Sequence, residues 1–94
     1  MEAAFAGKFF NIEVQADGVA LVTMDRPPVN AVTLEVYREM IRFAAHVRAS
    51  ERIRVVVLAA RPENRTWCGG AEVREFVDLD AQGRLARFAL LAEA

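Results

Sequence analysis

The chain has 94 residues, 54% of them hydrophobic and 27% charged, with only 3 prolines and 5 glycines. That is the size of one small domain, too apolar for intrinsic disorder and too charged for a membrane span. Twelve basic residues against 13 acidic ones leave a formal net charge of -1, without the basic excess or cluster of a nucleic-acid binder.

Met1 to Phe10 contain Glu2 and lack a basic stretch ahead of a sustained apolar run, so no secretory signal is predicted. Phe10, Ile12 and Val14 then alternate with Asn11, Glu13 and Gln15, the period-2 pattern of a strand with one buried face. Asp17-Gly18 supplies residues that tolerate positive φ in a tight turn, and Val19 to Met24 returns as a second strand. Asp25-Arg26-Pro27-Pro28 must leave the sheet, because proline donates no ladder hydrogen bond and restricts the residue before it.

Thr33 is the predicted N-cap of a helix from Leu34 to about Ala49, with Glu35 in its first turn. Leu34, Tyr37, Ile41, Ala44 and Val47, widened by Met40 and Phe43, form its apolar side. Glu35, Arg38, Glu39, Arg42 and His46 form the polar side, which makes His46 a solvated surface histidine rather than a base or metal ligand. Val36, Ile41, Phe76 and Phe88 are expected to include apolar surface left uncovered by the chain itself.

After Ser50-Glu51-Arg52 the segment Ile53 to Ala60 is β-branched and continuous, which predicts a strand covered on both faces. Its longest apolar run, Val55 to Ala60, is too short to cross a bilayer. Strand, helix, strand in that order is a crossover unit, so the fold class is α/β. A polar loop, Arg61 to Thr66, leads to Trp67-Cys68-Gly69-Gly70-Ala71-Glu72, and Val73, Phe76 and Val77 are spaced for a short helix. A last helix starts at Asp80, with Leu85, Phe88 and Leu91 on one face, and reaches Ala94 without a closing signal.

Gly69-Gly70 ahead of a helix start has two readings. It can be a plain tight turn, or it can let a ligand approach backbone N–H groups that stabilise a phosphate or a developing oxyanion. It is neither a Walker loop nor a dinucleotide fingerprint, because the Gly-Lys-Ser/Thr ending and a third spaced glycine are absent. Cys68, the single cysteine, excludes an internal disulfide and a Cys-rich metal site, and reads as a packed thiol in a reduced, cytoplasmic setting. Glu72 and Glu75 read as first-turn carboxylates placed by the helix dipole rather than as an acid/base pair. No metal site is expected.

The ordered motifs carry a resemblance. The hairpin ending Met24-Asp25-Arg26-Pro27-Pro28-Val29-Asn30-Ala31-Val32, the amphipathic helix, and the strand leading to Trp67-Cys68-Gly69-Gly70-Ala71-Glu72-Val73 resemble the N-terminal part of the crotonase superfamily, the enoyl-CoA hydratase/isomerase family. The resemblance runs from about Phe10 to Leu91 and implies one partial domain over 1–94, the first part of a ββα spiral, with the remainder C-terminal to it. It implies an acyl-CoA thioester as substrate, no permanently bound cofactor, and full-length relatives that assemble as homo-oligomers, trimers or hexamers.

Carried over by position, Ala71 supplies one backbone N–H of an oxyanion hole. Val29 and Ala31 line the CoA path, and Gly69, Gly70, Glu72 and Val73 surround the thioester and pantetheine arm. Arg26 lies near the phosphates or forms an ion pair. The second oxyanion donor and the catalytic glutamates of hydratases fall beyond this chain. Asp25, Trp67, Gly69 and Glu72 depart from the family's usual Asn, Phe, Ala and Asp, which questions how the loop is held. The alternative reading is a non-catalytic fragment that binds CoA or associates with full-length subunits.

Overall fold

The computed structural model describes residues 5–93, so the reading of Met1 to Ala4 and the end of the last helix at Ala94 lie outside it. Strand β1, Phe10–Val14, and strand β2, Val19–Met24, form the antiparallel hairpin, with Ile12 opposite Val22. Gly18 takes φ 91 at the turn, and a side chain there would also meet the Arg54 Cγ at 2.8 Å. Alternation along β2 sends Ala20, Val22 and Met24 into the core, the first two fully buried.

Helix α1, Leu34–Ala49, begins where expected, with the Thr33 hydroxyl accepting the Val36 N–H at 3.3 Å. Strand β3, Val55–Ala60, then pairs parallel to β2, Val22 opposite Leu58, giving the sheet order β1-β2-β3. The α/β class and the crossover reading hold. A 3-10 turn at Pro62–Asn64, a second at Val73–Phe76 and helix α2, Ala81–Glu93, complete the order.

The core gathers Phe10, Ala20, Val22, Met24, Val32, Val36, Tyr37 and Ile53 between the sheet and α1. Two assignments on α1 are corrected. Val36, expected to contribute uncovered surface, is fully buried beneath the hairpin, whereas Ile41 and Phe76 are half-buried and Phe88 is exposed. Glu39, expected on the solvated side, is 1% exposed. Its carboxylate accepts the backbone N–H groups of Lys8, Phe9 and Phe10, at 2.7, 2.9 and 2.8 Å. The segment entering β1 crosses α1 there, and a carboxylate is the acceptor its donors require.

A third correction concerns β3. Val55, Val56, Val57 and Leu58 are 37–55% exposed, so the strand is covered on neither face by the described residues. It lies at the edge of the sheet, beside an apolar groove of about 560 Å³ lined by Phe10, Met40, Phe43, Val47, Val56 and Leu58 among others. The α2 face carrying Leu85, Phe88 and Leu91 is exposed as well; α2 buries Arg87 instead.

Candidate functional site

The two stretches singled out in the sequence, 25–32 and 67–73, meet side by side. Asn30 organises the meeting. It is fully buried and sits at φ 54, a left-handed conformation that asparagine tolerates better than most residues. Its Nδ2 donates to the carbonyls of Thr66 at 3.0 Å and Trp67 at 3.2 Å. Its Oδ1 accepts the Arg26 N–H at 2.8 Å and lies 3.4 Å from the donating Asn64 amide. Asn64 also donates to Asp25, which pairs with Arg61 at 3.0 Å. A side chain within a quoted motif, given no role from sequence, thus ties both loops together.

Three backbone bonds continue the contact. Gly69 N–H donates to the Val29 carbonyl at 2.8 Å, Val32 N–H to the Gly70 carbonyl at 2.8 Å, and Glu72 N–H to the Val32 carbonyl at 2.9 Å. Val32 and Ala71 are therefore partners in an isolated parallel bridge. In parallel pairing the residues on either side of a partner make its bonds, so the partner's own N–H and carbonyl project from the opposite edge. The Ala71 N–H has no hydrogen-bond acceptor among the described residues, and the residue is exposed.

Each glycine has its own use. Gly70 adopts φ 89 with open space where a Cβ would stand, so glycine is required there by conformation. Gly69 is required by proximity: a Cβ would come within 2.9 Å of the Val29 carbonyl oxygen. The loop is held at Gly69 by this close, hydrogen-bonded approach to Val29. Cys68, expected to be a packed thiol, is exposed, because none of the described residues covers this loop; its Sγ accepts the Gly70 N–H at 3.4 Å.

The remaining candidates divide by exposure. Val29 is 45% and Val73 72% exposed beside the loop, whereas Ala31 is buried and turns its carbonyl to Arg26 Nη1 at 3.2 Å. Among the described residues Arg26 makes that bond and no ion pair. The Glu72 side chain accepts the Arg74 backbone N–H and, at 2.9 Å, the Arg74 Nε. These bonds, with the more distant Arg26 charge, hold the Glu72 carboxyl below its usual range and raise Arg74. The predicted short helix is the 3-10 turn Val73–Phe76, and Glu75 serves α1 rather than its own turn: its Oε1 accepts the Leu34 N–H at 2.9 Å. No group of three His, Cys, Asp or Glu side chains suited to a metal occurs among the described residues, and none of their helices is long and apolar enough to cross a membrane.

Comparison with known proteins identifies the family. Residues 14–92 match the family described as enoyl-CoA hydratase/isomerase. The peroxisomal bifunctional enzyme of Danio rerio is 34% identical over 64 residues, 68% of this chain and 9% of that protein. The crystal structure of an enoyl-CoA hydratase from Shewanella pealeana ATCC 700345 matches 90% of this chain and 32% of its own, with TM-score 0.80 and 25% identity. The structure of Pseudomonas aeruginosa DspI shares the fold, with TM-score 0.81 and 20% identity over 98% of this chain and 37% of that one. The chain thus spans about a third of the solved structures and a small part of the bifunctional relative.

Proposed function

The chain belongs to the enoyl-CoA hydratase/isomerase family, and from that premise we propose that it receives an acyl-CoA thioester with the carbonyl oxygen on the Ala71 N–H. The observation that supports this is the leftover donor: both neighbouring residues spend their bridge bonds on Val32, and Ala71 faces away from it in an exposed loop. Thioester enolate chemistry moves negative charge onto the carbonyl oxygen, so a fixed N–H there binds the enolate-like state more strongly than the ground state. Gly70 leaves the space beside this donor open, Gly69 lets the loop close on Val29, and Val29 and Val73 offer apolar surface to the pantetheine arm. Arg26, near Glu72, is placed for the phosphates. The thioester enters as substrate, with no resident cofactor, and the complete enzyme is a cytoplasmic homo-oligomer.

One N–H is half of an oxyanion hole. In this reading the second donor and the carboxylates that move protons belong to the part of the fold the relatives have and these 94 residues do not. The test is an NMR titration of the chain with a non-reactive acyl-CoA, alongside a crotonyl-CoA hydration assay. The Ala71 amide is expected to shift with ligand, Gly70 and Val73 with it, and the chain alone is expected to give no turnover. An unmoved Ala71 amide at millimolar ligand defeats the proposed role, and substantial turnover defeats the division of the active site.

A further inference from the structure

Four residues after Ala71, Glu75 forms a half-buried charge pair with Arg87 that the proposed chemistry does not use. Arg87, on α2, is 8% exposed, its guanidinium 5.8 Å from the Tyr37 ring centroid and 5.1 Å from that of Phe76. Its Nη2 donates to Glu75 Oε1. The same oxygen accepts the Leu34 N–H, one of the first-turn donors that α1 leaves unpaired. Segments 41 and 12 residues away from Glu75 therefore converge on one carboxylate oxygen. The Arg87 Nε is buried without a hydrogen-bond partner, and Glu75 is the carboxylate paired with this guanidinium among the described residues.

The position of this pair matters more than its strength. Residues 32 and 34 on one side face residues 71 and 75 on the other. Val32 and Ala71 are joined by the bridge, Leu34 and Glu75 by the carboxylate. Between Ala71 and Glu75 the chain runs into the 3-10 turn Val73–Phe76, which leaves little slack. With both ends fastened, the Ala71 N–H has one direction; with the second fastening gone, the bridge is an isolated pair free to open.

We propose that Glu75 is a positioning residue, held in orientation by Arg87, through which α2 fixes the direction of the Ala71 N–H. Its consequence for thioester binding rests on the reading of Ala71 given above, but the fastening itself is measurable without ligand.

The test is amide hydrogen exchange by NMR on the full chain and on Glu75→Ala, Glu75→Gln and Arg87→Lys, following the N–H groups of Val32 and Glu72. In Glu75→Ala both are expected to exchange about tenfold faster or more, relative to the amides of β2, which report global stability. Glu75→Gln keeps an acceptor for Leu34 and is expected to be intermediate. Arg87→Lys, retaining charge but not reach, is expected to move the same two amides. If loop and β2 amides accelerate together, or if Val32 and Glu72 stay at wild-type rates, the positioning role is overturned. Should Glu75→Ala fail to fold, Glu75→Gln and Arg87→Lys decide by the same comparison. A wild-type Ala71 amide that ignores acyl-CoA, with fast exchange in the variants, removes the thioester reading and leaves the fastening standing.

Discussion

Asn30 carries more of the site than any residue that contacts solvent there. It is buried, left-handed and bonded through both side-chain atoms to three separate segments. Asn30→Ala is expected to cost about 2–4 kcal/mol in chemical denaturation, since it strands two carbonyls and a backbone N–H together. Asn30→Asp keeps the acceptor and loses the donor, so it should fall between wild type and Asn30→Ala. Gly70→Ala separates conformation from contact: nothing blocks the new methyl, so its cost of about 1–2 kcal/mol is backbone strain alone. Glu72 gives a pH dependence. Its folded carboxyl titrates below the usual 4.5 because Arg74 bonds the ionised form. That contact is therefore fully present above 4.5 and is lost as pH falls through the depressed value. An NMR titration of the Glu72 carboxyl should show a midpoint that returns toward 4.5 in Arg74→Met.

At the scale of elements, what was legible was local. The hairpin followed from alternation and Asp17-Gly18, and α1 from its N-cap and period. Glu39 was illegible for a physical reason: its three donors lie 29–31 residues away, and helical spacing alone places it among solvated charges. Glu39→Ala is expected to destabilise the fold by about 3 kcal/mol or more in thermal unfolding, because buried N–H groups at the start of β1 lose their acceptor. Asn30 and Glu75 escaped for the same reason, with partners 36–37 and 41 residues distant. The loop's motif order revealed the family; the bond pattern that leaves the Ala71 N–H free depends on how two distant segments pair in three dimensions.

For the whole molecule the deciding fact is uncovered apolar surface. Val55 to Leu58, Leu85, Phe88 and Leu91 are exposed, β3 has an unpaired edge among the described residues, and the radius of gyration, 14.6 Å, exceeds the roughly 12 Å of a compact chain this long. A continuous β-branched edge without a charge invites further strands. The isolated chain is expected to self-associate with rising concentration in sedimentation velocity, and Val57→Lys to reduce that association. A monodisperse monomer with a sharp cooperative melt would contradict this.

The isolated bridge between Val32 and Ala71 makes the donor a matter of counting. Along an extended backbone, successive N–H groups alternate between edges, so a shift of one residue exchanges the bonded set for the free one. An extra residue in the polar loop Arg61–Arg65, upstream of the carbonyls that Asn30 grips, leaves that count unchanged. An extra residue between Trp67 and Gly69 does not: it would turn the Ala71 N–H inward to Val32 and offer a neighbour's instead. Length variation in this loop should therefore leave the Ala71 N–H in place on one side of Thr66 and displace it on the other.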